Sequence, residues 1–176
     1  MKTTVLLLSA ALGLMTISGV QAAEDNVHFS GALVTEPCVL PDADKDIHLD
    51  FGTVIEKYLY QYQRTKSQPF SIHLTECDPA VLSTVSVTFQ GTADTELTDM
   101  LALDASSTAK GVAIGLELAD GTPLLINKAS PYTQLSSGNN MLKFNAFVQA
   151  QPTIITNKSL VSGDFMATAN FVLGYQ

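Results

Sequence analysis

Asp164-Phe165-Met166-Ala167-Thr168-Ala169-Asn170-Phe171-Val172-Leu173-Gly174-Tyr175-Gln176 closes the sequence with an unbroken alternation of apolar residues. Phe165, Ala167, Ala169, Phe171, Leu173 and Tyr175 occupy alternate positions. A β-strand sends successive side chains to opposite faces, so these residues share one face and the stretch predicts a long strand with one apolar side. The same period recurs upstream in Ile47, Leu49, Phe51; in Phe70, Ile72, Leu74; in Val85, Val87, Phe89; in Val112, Ile114, Leu116, Leu118; and in Leu142, Phe144, Ala146, Val148. Each run is rich in β-branched or aromatic residues and is bounded by turn formers such as Pro41-Asp42, Asp78-Pro79, Asp120-Gly121, Ser137-Gly138-Asn139-Asn140 and Ser162-Gly163. Short alternating strands between turn signals predict an all-β sandwich. Residues 94–103 depart from the pattern, since Leu97, Met100 and Leu101 recur at helical spacing, and a short helical turn is expected there as a connection.

The other end of the chain reads as a leader. Met1-Lys2, the apolar Val5-Leu6-Leu7-Leu8 and Ala10-Ala11-Leu12, and the small-residue end Val20-Gln21-Ala22 have the three regions of a secretory signal peptide. Residues 1–22 are expected to be removed, leaving one domain with a real core and no stretch approaching a membrane span. Cys38 and Cys77 both fall in the exported part, where an oxidising compartment favours a structural disulfide. No CxxC motif is present, and two thiols without suitably spaced histidines do not close a zinc site. Without Lys2, eight basic residues face seventeen acidic ones. An acidic surface with no basic cluster repels phosphates, so nucleic acid is not an expected partner.

Between leader and first cysteine lies another alternating segment, with Val27, Phe29, Gly31 and Leu33 on one side and His28, Ser30 and Ala32 on the other. It has no hairpin partner in the sequence. Together with the terminal strand it resembles the subunits of chaperone–usher fimbriae of the type 1 and P pilus kind. In that family a glycine fourteen residues from the C-terminus, alternating apolar residues and a penultimate tyrosine mark the strand offered to a periplasmic chaperone, and Gly163 and Tyr175 stand in those positions. Further family-like pieces are residues 31–38, Leu74-Thr75-Glu76-Cys77, Val87-Thr88-Phe89-Gln90-Gly91 and residues 111–116 followed by Asp120-Gly121.

The resemblance implies an immunoglobulin-like sandwich lacking its seventh strand (residues 38–176), preceded by a donor-strand extension (residues 23–37). It implies a structural role in a surface fimbrium and in cell adhesion, with a periplasmic chaperone, an outer-membrane usher and neighbouring subunits as partners and no enzymatic activity, cofactor or metal. Export would run through the periplasm to the cell surface. Val27, Phe29, Gly31 and Leu33 would enter a neighbour's groove. Gly163, Phe165, Ala167, Ala169, Phe171, Leu173, Tyr175 and Gln176 would form the strand that meets the chaperone, with the Gln176 carboxylate on basic residues of its cleft. The short extension points to a minor or adaptor subunit. The rival expectation is an exported glycan- or receptor-binding module in which residues 26–35 complete their own fold.

Other chemistry has little support. His28, His48 and His73 stand alone, the first two on the polar sides of their runs, which suits surface histidines better than catalytic ones. Asp42, Asp44 and Asp46 imitate the opening of a calcium loop, but Ile47 replaces the required glycine and Thr53 the bidentate glutamate, so a solvated turn is expected. Neither Gly-x-Ser-x-Gly nor a phosphate-binding glycine loop occurs. Asn157-Lys158-Ser159 matches a glycosylation sequon that a bacterial periplasm leaves unused. Tyr58, Tyr60 and Tyr62 alternate along a segment with Gln61, Gln63 and Arg64; packing or subunit contact is the expectation, ahead of a carbohydrate site.

Overall fold

Alternating β-branched and aromatic runs become strands, and their apolar faces meet between two antiparallel sheets. The computed structural model describes residues 29–31, 33 and 35–176, and the fold is built within Val34–Gln176. Its strands are β1 (Gln68–Cys77), β2 (Thr84–Gln90), β3 (Val112–Leu118), β4 (Pro123–Leu124), β5 (Thr133–Gln134), β6 (Gly138–Ala150) and β7 (Asn170–Tyr175). One sheet has the order β1-β6-β3-β4 and the other β5-β2-β7.

β6 is the spine of the larger sheet, pairing Leu142 with Ile72 and Phe144 with Phe70 on one side and Val148 with Ile114 and Ala146 with Leu116 on the other. In the smaller sheet Val85, Val87 and Phe89 pair with Tyr175, Leu173 and Phe171. Phe70 and Phe144 of the first sheet meet Phe89 of the second, with ring centroids 5.8 and 5.1 Å apart. These edge-to-face contacts tie the sheets together across the core. Ile72, Leu74, Val85, Val87 and Val148 are wholly buried around them.

Cys38 and Cys77 form a disulfide. It anchors the incoming chain to the end of β1, where Val39 and Thr75 also exchange two backbone hydrogen bonds of 2.8 and 2.9 Å. On the outer face of the larger sheet, the Arg64 guanidinium lies 3.4 Å from the centre of the Phe147 ring and donates to Glu117 Oε2 at 3.1 Å. The cross-strand partner of Phe147 is Gly115, where an added Cβ would run into that ring, so the glycine makes room for the stack.

Four expectations need correction. Residues 47–51 keep their alternating burial but join neither sheet. Tyr58, Tyr60 and Tyr62 lie in helix α1 (Glu56–Tyr62), where spacing by two separates side chains. Tyr58 and Tyr62 therefore stack on each other, with centroids 4.4 Å apart, while the Tyr60 hydroxyl accepts the Leu160 amide at 3.0 Å. Residues 94–101 form no helix; they make a loop closed by an Ala93–Leu101 bridge, with one turn at Leu97–Met100. There the Asp94 carboxylate accepts the Glu96 and Leu97 amides in the manner of an N-cap, and the Met100 amide closes a single turn on the Leu97 carbonyl at 2.8 Å. The final ladder begins only at Asn170, and residues 164–166 instead bond to the loop at 104–109. A second helix, α2 (Pro152–Asn157), opens on proline at its first turn.

The disulfide closes a loop with a sequence separation of 39, which on the chain-entropy estimate stabilises by about 4 kcal/mol. Cys77→Ser should lower the free energy of unfolding in urea by about that amount, and an unchanged midpoint would contradict the role given to the bridge.

Candidate functional site

Among the described residues β7 lies at the end of its sheet and pairs only with β2. Its hydrogen-bonding direction follows from Gln176, whose amide donates to the Thr84 carbonyl at 3.0 Å and whose carbonyl accepts from Thr84 and Ser83 at 2.9 Å. Strand geometry then turns Gly174, Val172 and Asn170 towards β2 and leaves the amides and carbonyls of Tyr175, Leu173 and Phe171 on the opposite edge. The pattern continues upstream. The Asp164 carbonyl accepts from Thr108 and Ala109, and the Met166 carbonyl from Asp104 at 2.7 Å, so Phe165, Ala167 and Ala169 also present their backbone the other way. The residues that turn apolar side chains inward are thus the ones whose backbone groups face the open edge.

Across the gap stands the segment 46–54, which makes no backbone–backbone hydrogen bond to any described residue. Ile47, Leu49, Phe51 and Val54 pack against the core, and Phe51 reaches Phe165 with centroids 6.2 Å apart. Between the two walls lies a hollow of 410 Å³ floored by core side chains that include Phe70, Phe89, Leu101, Ile114 and Leu116. A smaller hollow of 90 Å³ continues it past Phe165 to Gly163, bounded by Val54, Leu59, Val112 and Leu160. An extended apolar groove therefore runs between two unpaired stretches of backbone. Such an edge is a template for strand addition.

Gly163, Phe165, Ala167, Ala169 and Phe171 line these hollows, and Leu173 and Tyr175 pack against the core. The Tyr175 phenol is pushed above its ordinary range by burial and, secondarily, by the charge of Glu36. Gln176 has its carbonyl oxygen engaged by β2. Phe29 and Leu33 are 95% and 103% exposed, and Gly31 stands in open space; Val27 lies outside the described residues. The groove floor and the unbonded wall were invisible to sequence reading because they assemble from segments far apart in the chain.

His48 and His73 are not isolated. His73 donates its backbone amide to Asp44 and holds Nδ1 2.8 Å from the same carboxylate, and His48 Nε2 is 3.3 Å from Asp46; His28 lies outside the described residues. Asp42 is bound by Lys45 at 2.6 Å, which holds its carboxyl below the usual range. The three aspartates thus serve three different partners, and among the described residues no group of acids, histidines or cysteines could hold a metal.

A family model described as "Fimbrial protein" matches residues 27–176. The chain is 35% identical over 170 residues to the fimbrial-like protein YfcP of Escherichia coli, spanning 96% of this chain and 93% of that one. It is 33% identical over 181 residues to the fimbrial adapter PapK of Escherichia coli, spanning 99% and 98%. A solved structure of the P pilus rod subunit PapA superposes with a TM-score of 0.69 at 25% identity, covering 80% of this chain and all of that one.

Gly163 marks where the smaller hollow ends, and a Cβ placed there would stand 2.8 Å from the Ala109 backbone nitrogen. Backbone cannot yield as a flexible side chain would, so Gly163→Ala should cost about 1–3 kcal/mol. Gly31→Ala, in open space, should leave stability within about 0.5 kcal/mol. Urea titrations of the two variants check the pair, and equal effects would refute the close approach at Gly163.

Proposed function

This chain belongs to the fimbrial protein family, and from that premise we propose that it polymerises by taking an extended strand from another polypeptide into its groove and giving its own residues 26–35 to the next. It is a structural subunit of a bacterial pilus, working by assembly and not by catalysis. The observation that carries the proposal is the pair of backbone walls that bond to no other described residue across the gap, residues 46–54 and the odd residues from 165 to 175, flanking an apolar floor.

A strand laid between the walls would satisfy backbone groups on both sides and cover the floor with alternate side chains. The same edge left open invites aggregation, so the subunit needs an occupant from the moment it folds. A periplasmic chaperone would fill the groove first, and at an outer-membrane usher the extension of a neighbouring subunit would replace it. The finished fimbrium would stand on the cell surface and contribute to adhesion.

The exposure of Phe29 and Leu33 supports the donor role, because exposed alternating apolar side chains gain about 1.5–3 kcal/mol each on burial in a partner. Val27 would add a third. Gly31 sits within the apolar series where an occupant's backbone must approach closely.

Deleting residues 26–35 should leave the domain folded and its groove able to bind a chaperone strand, while abolishing transfer to the next subunit. Gly31→Leu should slow transfer and spare chaperone binding. Phe171→Asp places a charge on the groove lining at a cost of several kcal/mol and should abolish strand capture. Strand-exchange assays and chaperone co-purification read all three. Collapse of the domain on deletion would favour the self-complemented module, and normal polymerisation of the deleted chain would end the donor reading.

A further inference from the structure

We infer that the groove favours an extended strand carrying cations at its outward or terminal positions, and disfavours the N-terminal segment of a second copy of this chain; the inference rests on the strand-capture reading. The observation is like charge on both sides of the self-pairing.

On the groove side, Asp46 lines the larger hollow and Glu56 the smaller. Asp50 stands exposed between Leu49 and Phe51 of one wall and Asp164 beside Phe165 in the other, with Asp104 accepting from Thr168 at 2.9 Å. Of the cations lining the hollows, Lys45 is paired with Asp42 at 2.6 Å, while Lys110, held by the neutral Ser107 carbonyl at 2.7 Å, keeps its charge but is outnumbered by these carboxylates. Beyond the hollows, Glu36 lies close enough to act on Tyr175. Carboxylates therefore flank the groove along its length, and a strand meets them from either direction of entry.

On the donor side, Glu24 and Asp25 precede Val27, Glu36 follows Leu33, and no lysine or arginine occurs between Lys2 and Lys45. His28 is the one group in residues 24–35 able to gain positive charge, by protonation. A neutral apolar series thus enters an acidic groove behind an acidic tip. Long-range repulsion of this kind acts chiefly on association rate and on choice among competing partners. A donor with lysine or arginine near its tip would be steered into the same groove.

The test uses the full-length exported chain and fluorescent peptides, one with residues 24–35 and one carrying Glu24→Lys and Asp25→Lys, at a pH of about 8 where histidine is neutral. In about 0.01 M salt, where charges act over roughly 30 Å, the lysine peptide should associate at least about threefold faster. In about 1 M salt, with a screening length of roughly 3 Å, the two rates should converge, the unmodified peptide having sped up. Asp46→Asn with Asp50→Asn in the acceptor should narrow the low-salt gap. Equal, salt-insensitive association of both peptides would overturn the charge selection while leaving strand capture intact. Binding of neither would overturn both.

Discussion

An unpaired sheet edge beside an apolar floor is the constraint on which the rest of this molecule turns. Backbone amides and carbonyls require partners once buried, so on the strand-capture proposal a strand from elsewhere would complete the row that faces this hydrophobic hollow. The floor of the groove is not a separate surface: Phe70, Phe89, Ile114 and Leu116 line it and also belong to the hydrophobic cluster or pack against it. Filling the groove and finishing the core are therefore one event. Any occupant that binds the folded chain and not the unfolded one stabilises it in proportion to the logarithm of its occupancy ratio, so on the strand-capture proposal assembly and folding stability would be linked.

A domain open along one side needs its remaining parts held firmly. The ring cluster of Phe70, Phe89 and Phe144 joins the sheets, and the disulfide holds the start of the domain to β1 independently of the missing ladder. Outside the larger sheet, Arg64 covers Phe147 and closes on Glu117 and Ser67. The Glu117 side chain is only 6% exposed, so it depends on that guanidinium and hydroxyl for its hydrogen bonds. Thr65 exchanges bonds with Val148 in the same place, fixing the chain after α1 and thereby the segment before it that forms one groove wall.

Much of this architecture was legible because a sandwich strand writes its burial into the sequence at period two. Phe70-Ile72-Leu74, Val85-Val87-Phe89 and Leu142-Phe144-Ala146-Val148 announce both strand and inward face, and the structure places them so. The same signal misleads where alternation arises without a ladder. Ile47-Leu49-Phe51 alternates because one side packs on the core, yet hydrogen bonding, which side chains do not report, is missing along it. Tyr58-Tyr60-Tyr62 imitates a strand but turns as a helix, since the aromatic spacing is local while the burial of Leu59 is decided by tertiary packing. β4 and β5, with two residues each, are too short to carry any period. The groove itself is a property of distance between segments, and only the inward residues of its C-terminal wall could be named beforehand.

Charge adds a kind of information that the apolar pattern cannot. Alternating side chains say that a segment can enter a groove, and many sequences meet that condition; Val27, Phe29 and Leu33 would suit almost any hydrophobic slot. Selection among such segments needs a term that penalises some of them. In this chain the carboxylates beside the groove are largely solvent-facing, so they leave the buried contacts untouched and act before contact, through the field an approaching strand meets. Hydrophobic depth and electrostatic approach are then divided between different residues of one site. On the strand-capture proposal, Phe165 and Phe171 would decide how firmly a strand is held, and Asp46 and Asp50 which strand arrives.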